Sequence, residues 1–174
     1  MKFKINRNYI NSYYYRFAEY DYIEADLDNL DPKIWKAWDD VARVLILPED
    51  IIEKYFYWFK DYSIYVYQTL SEDFIRRNKD ILNWTMISWQ QKLSENFIEE
   101  FKDYVDWAQI SAYQDFSDDF IRRNCDYIHW GSLCYYKNIS IDIIKEFVEK
   151  MDYISLIRNE HISQDIKDYC RMFI

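Results

Sequence analysis

Between Leu70 and Asn138 the chain repeats itself every 23 residues, as LSEDFIRRNKDILNWTMISWQQK, LSENFIEEFKDYVDWAQISAYQD and FSDDFIRRNCDYIHWGSLCYYKN. A fixed period of this size marks a stacked-repeat architecture, in which each unit buries its apolar residues against its neighbours. Any reading of the rest of the chain has to be compatible with that stacking.

The local chemistry predicts two short helices per repeat. Ser71, Ser94 and Ser117 stand before acids at Glu72/Asp73, Glu95 and Asp118/Asp119. A serine hydroxyl accepts an orphan backbone N–H at a helix start, and first-turn acids favour the positive end of the helix dipole. The first helix is therefore expected over EDFIRRNKD and its equivalents. Leu70 with Ile75, Leu93 with Ile98 and Phe116 with Ile121 have the spacing of hydrophobic staples. Asn83 and Asp106 cap a second helix in the first two repeats, and His129 holds the same place in the third as a weaker cap. This helix runs from Trp84, Trp107 or Trp130 to the Gln or Tyr pair. Within it, Trp84, Ile87 and Ser88 share a face by i, i+3, i+4 spacing, as do Trp107, Ile110 and Ser111, and Trp130, Leu133 and Cys134. The expectation is a buried tryptophan row beside small residues that let the helices approach closely.

The pattern extends both ways. The repeats are 47–69, 70–92, 93–115, 116–138 and 139–161, with 162–174 as a half-repeat cap. Tyr153 stands at the tryptophan position of 139–161, whereas 47–69 keeps Leu47, Ile51, Ile52 and Ile64 without it. The expected fold is all-α, a short right-handed α-solenoid of 23-residue helix pairs with terminal caps. Residues 1–46 form an N-terminal cap region packed on the array.

The LSExFI…W..IS..Q pattern resembles short repeats in proteins of large DNA viruses and phages. The resemblance covers roughly residues 47–174. It implies a helical array and carries no shared chemistry. It also implies a role: a phage- or virus-encoded inhibitor that occludes a host defence protein, such as a CRISPR nuclease, in the host cytoplasm.

Composition is consistent with a packed helical domain. Half of the 174 residues are hydrophobic and 21% aromatic, with one Gly and two Pro. That scarcity of breakers argues against a β-rich fold or a flexible linker. The formal charge of −9 disfavours direct contact with a nucleic-acid backbone. Three cysteines, an odd number, point to a reducing compartment rather than a disulfide framework. No run is long and apolar enough to span a membrane, and no signal peptide is evident. A cytoplasmic protein without membrane association is expected.

The N-terminal region reverses its charge. Residues 1–16 carry Lys2, Lys4, Arg7 and Arg16, and residues 17–31 carry Glu19, Asp21, Glu24, Asp26, Asp28 and Asp31. KFKINRNYI reads as a strand or an irregular segment, within an aromatic region that includes Tyr13, Tyr14, Tyr15 and Phe17. Residues 32–46 read as a helix opened by Pro32, with Ile34, Trp38 and Val41 as its buried stripe.

Candidate sites are few. Cys125, His129 and Cys134 are close in sequence, but CxxxHxxxxC is not a zinc-ligand spacing, and each has a place in the repeat. His161 has no evident nucleophile partner. There is no glycine-rich phosphate loop, GxSxG or HExxH. No catalytic residue, cofactor or metal site is expected. Arg76-Arg77 and Arg122-Arg123 alternate with Glu99-Glu100 and Lys145-Glu146, which predicts an inter-repeat charge ladder rather than a nucleic-acid stripe. Acids line up at the helix starts (Glu49/Asp50, Glu72/Asp73, Glu95, Asp118/Asp119, Asp142, Asp165), and dipole and capping chemistry explain them. The alternative is an acidic mimic of nucleic acid that binds a basic groove.

The remaining feature is aromatic. Tyr67, Trp89, Gln90, Tyr113, Tyr135 and Tyr136 lie on the second helices opposite the tryptophan stripe. Tyr and Trp supply amphipathic contact area suited to a protein partner. The expected function is a non-enzymatic protein-binding module using the concave face of the second helices.

Overall fold

A computed structural model describes residues 2–6, 22–26, 39, 42, 43, 46–59 and 62–174. Two compact units are present, Met1–Asn83 and Trp84–Ile174. They part between the two helices of repeat 70–92, whereas the sequence pattern changes at 46/47.

In the first unit, β1 (Lys2–Asn6) and β2 (Tyr22–Asp26) pair antiparallel. Among the described residues, the other regular elements are helical. The register of the strand pair sets Lys2 opposite Asp26 and Lys4 opposite Glu24, so the charge reversal in the sequence falls across this ladder. The expected helix 32–46 lies mostly outside the described residues, as do Ile34, Trp38, Val41 and the tyrosines at 13–15; Asp39, Ala42 and Arg43 within it are helical. Then come α1 (Glu49–Tyr55), a 3-10 turn at Phe56–Trp58, α2 (Ser63–Tyr67) and α3 (Glu72–Arg77).

The second unit carries α4 (Trp84–Gln90), α5 (Glu95–Glu100), α6 (Trp107–Tyr113), α7 (Asp118–Arg123), α8 (Trp130–Tyr136), α9 (Ile141–Glu146), α10 (Tyr153–Arg158) and α11 (Gln164–Cys170). The second helices pack side by side, α4 on α6, α6 on α8 and α8 on α10. No helix among the described residues is long and apolar enough to cross a membrane.

The caps form as their residue types dictate. The hydroxyls of Ser94, Ser117 and Ser140 accept the backbone N–H of Phe97, Phe120 and Ile143. Asp106 accepts from Ala108 and Gln109, and His129 accepts the Ser132 N–H at Nδ1. The first helices are shorter than expected. In α7 the side-chain amide of Asn124 turns back to the Phe120 carbonyl at 3.0 Å, which ends the helix after six residues.

The core differs from the sequence expectation in one respect. Phe97 and Phe120, on the first helices, are fully buried together with Ile98, Ile110 and Leu133. Trp84, Trp107 and Trp130 are only half-buried. Each indole lies over the following repeat's first helix or the turn after it: Trp84 on Phe101 at 5.2 Å, Trp107 on Phe120 at 6.2 Å, Trp130 on Phe147 at 5.1 Å between ring centroids. The reason is polar. Trp107 donates its indole N–H to the Lys102 carbonyl at 2.9 Å and Trp130 to that of Cys125 at 3.1 Å. An amphipathic ring bonded in this way keeps one edge near the surface, and the all-carbon phenylalanines take the interior.

The small residues of the second helices do more than leave room. Ser88 and Ser111 are buried, and their hydroxyls accept the backbone N–H of Asp106 and His129, each at 2.9 Å. Each hydroxyl therefore anchors the cap of the next second helix.

Candidate protein-binding face

A recurring set of polar side chains holds one repeat on the next. Gln114 is buried. Its Oε1 accepts the Leu93 N–H at 3.0 Å, and its Nε2 donates to the carbonyls of Ser88 at 2.9 Å and Gln91 at 2.7 Å. In the first unit Gln68, two periods earlier, accepts the Leu47 N–H and donates to the Ala42 carbonyl. Asn159 repeats the pattern at the far end, donating to the Cys134 and Lys137 carbonyls.

The first-turn acids are engaged in the same way. Glu95 accepts the Ser117 N–H at 2.6 Å, and Asp118 accepts the Ser140 hydroxyl at 2.7 Å. In the first unit Glu49 accepts both the N–H and the hydroxyl of Ser71. These acids serve more than the dipole of their own helix: each clamps the cap of the next repeat.

The basic pairs bridge repeats in both directions. Arg123 reaches back to Glu99 at 2.9 Å and Glu95 at 3.3 Å, while Arg122 reaches forward to Glu146 at 2.9 Å. The bond from Arg123, aided by one from Asn124, holds the Glu99 carboxyl below the usual glutamate range. In the first unit Arg77 lies 3.8 Å from Glu49.

The residues weighed as a metal site have structural places. Cys134 is buried, and burial pushes its thiol up to about 11. His129 caps α8, and Cys125 supplies the carbonyl that receives the Trp130 indole. His161 is exposed, and its backbone N–H goes to the Asn159 side chain at 2.8 Å.

Against this background one group of exposed side chains stands apart. Trp89, Tyr113, Tyr136 and Tyr135 are 38%, 45%, 44% and 47% exposed. Their rings follow one another across α4, α6 and α8. Trp89 is 5.9 Å from Tyr113, Tyr113 is 5.6 Å from Tyr136, and Tyr136 is 4.8 Å from Tyr135. The strip is continuous because of its register. Tyr113 and Tyr136 occupy one column of the repeat, and Trp89 and Tyr135 flank the buried Ala112 in the next. Gln90 is half-buried beside Trp89. Tyr67, in the first unit, has the guanidinium of Arg43 over its ring at 5.3 Å. A cleft of about 240 Å³ opens between Trp89 and Tyr113, with Gln91, Lys92, Gln114 and Asp115 among its lining.

A second row of exposed tyrosines escaped the sequence reading. Tyr104 and Tyr127 are 44% and 42% exposed at equivalent positions of the turn after the first helix. Tyr104 lies tilted against Trp84 and edge-on to Phe101, and Tyr127 lies against Trp107 at 5.2 Å with Lys102 over its ring at 5.5 Å. The signal was present in the sequence: both tyrosines stand 20 residues after the tryptophan they touch. Their rings rest on the tryptophans of the preceding repeat, whereas the rings of the strip contact one another.

Comparison with protein-family models, curated proteins and solved structures finds no match to this chain.

Proposed function

We propose that this chain is a non-enzymatic protein-binding module, a right-handed α-solenoid of 23-residue helix pairs that presents the strip Trp89–Tyr113–Tyr136–Tyr135, with Gln90 beside it, to a protein partner. The observation that carries the reading is the unbroken succession of half-exposed rings across three helices. Tyrosine and tryptophan concentrate binding energy in protein interfaces because they bury large amphipathic area at little rotamer cost. Tyr65 and Tyr153 show the other use of the residue in this chain: each hydroxyl bonds to backbone, of Asn83 and Val148 respectively. Through the resemblance of its repeat, the reading extends to a phage- or virus-encoded inhibitor that occludes a host defence protein such as a CRISPR nuclease.

The alternative, an acidic mimic of nucleic acid, relies on ordered carboxylates displayed to a basic groove. Glu95, Glu99 and Asp118 are instead bonded to serine caps and arginines of neighbouring repeats, which favours the aromatic face.

The test compares three immobilised proteins against a candidate host lysate by quantitative mass spectrometry. They are the wild type, the Trp89→Ala/Tyr113→Ala/Tyr136→Ala variant, and the Glu72→Gln/Glu95→Gln/Asp118→Asn variant. The reading expects a protein retained by the wild type and the amide variant and lost by the aromatic one. Retention by the folded aromatic variant and loss by the amide variant would reverse the ranking.

A further inference from the structure

We infer that the cleft between Trp89 and Tyr113 receives an arginine side chain of the partner protein. The inference rests on the protein-binding reading above and names the chemistry of its anchor. The repeat itself supplies the precedent. Tyr67 occupies the same column as Tyr113, two periods earlier, and carries the Arg43 guanidinium over its ring. Elsewhere Lys102 covers Tyr127, Lys150 covers Trp130 and Lys145 covers Tyr169. Among the described residues, no cation of the chain covers Trp89, Tyr113, Tyr135 or Tyr136.

The cleft has the parts such a group needs. Its two aromatic rings are tilted by 43° to each other, and a planar guanidinium stacks on rings of this kind. Asp115 belongs to the same cleft, with its side chain 92% exposed. Among the described residues its one ion pair is a long one, to Lys137 at 3.5 Å, which leaves carboxylate lone pairs open to a guanidinium. Gln91 and Gln114, also in the lining, are buried. The volume of about 240 Å³ admits a guanidinium and part of its stem. Among the described residues, Lys92 is the one cation lining the cleft, an opposing charge at an exposed position. The net charge of −9 draws basic surfaces toward the chain from a distance. Arginine is suited to the site in a way lysine is not, because only its planar, multi-donor head can stack and pair at once.

The experiment is a titration of the full chain followed by 1H–15N NMR. The probes are the acetyl-Gly-Arg-Gly amide peptide and its lysine and citrulline counterparts. Citrulline keeps the shape of arginine and removes the charge. The Trp89→Phe variant identifies the Trp89 indole signal by its disappearance. The arginine peptide is expected to shift that signal saturably, with the lysine peptide weaker and the citrulline peptide weaker by about fivefold or more. Asp115→Asn, at an exposed position that preserves shape, should weaken arginine binding by about threefold. Tyr113→Leu should weaken it as well, and Lys92→Gln should strengthen it. No saturable shift, equal response to citrulline, or wild-type affinity in Asp115→Asn would overturn the assignment. Those outcomes concern the cleft alone: the strip as a binding face fails only if the folded aromatic variant keeps the captured partner.

Discussion

Gln114 accepts the backbone N–H of Leu93, the residue that opens its own repeat, at 3.0 Å. With its two donated bonds to Ser88 and Gln91, one buried side chain satisfies three backbone groups, two of them in the preceding repeat. Gln114→Leu keeps the volume and orphans all three. Each buried unsatisfied group costs about 1–3 kcal/mol, so a loss of about 2–4 kcal/mol is expected in denaturant unfolding, with a similar sign for Asn159→Leu. A midpoint close to wild type would mean that water or a rearranged backbone replaces the amide.

The phenylalanines and tryptophans should rank by burial. Phe120 is fully buried, and Phe120→Ala should cost about 3–5 kcal/mol as a core truncation. Trp107 is half-buried, and Trp107→Ala should cost less, about 2 kcal/mol, from lost stacking and the lost indole bond. The reverse order in thermal or denaturant melts would restore the tryptophans as the core of the array.

Much of this arrangement was legible in the sequence, and the failures have physical causes. Ser94, Ser117 and Asp106 announced the helix starts, because a cap is a local interaction within one turn. Trp84, Trp107 and the serines beside them were visible as a face, but periodicity cannot tell a fully buried column from one that must keep an N–H at the surface. Phe97 and Phe120 won the interior on that account. Ser88 and Ser111 read as small spacers, and their role as acceptors depends on where the next repeat's backbone arrives. Gln68, Gln91 and Gln114 recur at the 23-residue spacing, a signal that a polar residue was fixed by the stacking. The aromatic strip was readable as a set of positions. Its continuity runs through Tyr113 and Tyr136, and depends on how closely neighbouring second helices pack.

The charge ladder can be tested by exchange. Arg123→Glu should lower the thermal midpoint, and the loss should shrink at high salt, because both partners are substantially exposed. The exchange double variant Arg123→Glu/Glu99→Arg should recover most of the loss. If it recovers nothing, the two residues act independently.

The same pair sets a pH dependence. The Glu99 carboxyl is held below its ordinary range by Arg123, so its contribution is complete above the ordinary glutamate value of about 4.3 and fades as pH falls through the lower folded-state value. Stability of the wild type should therefore drop more steeply below about pH 4 than that of Glu99→Gln. Parallel acid profiles would remove the pair from the account.

The most direct measurement of the central claim is the affinity of the captured partner for two folded variants, by calorimetry at low and high salt. One is Trp89→Ala/Tyr113→Ala/Tyr136→Ala, and the other is Glu72→Gln/Glu95→Gln/Asp118→Asn. The aromatic face predicts a loss of at least about 2 kcal/mol for the first variant, little for the second, and a shallow dependence on salt. Wild-type affinity in the aromatic variant, with binding lost in the amide variant and falling steeply with salt, would contradict the account.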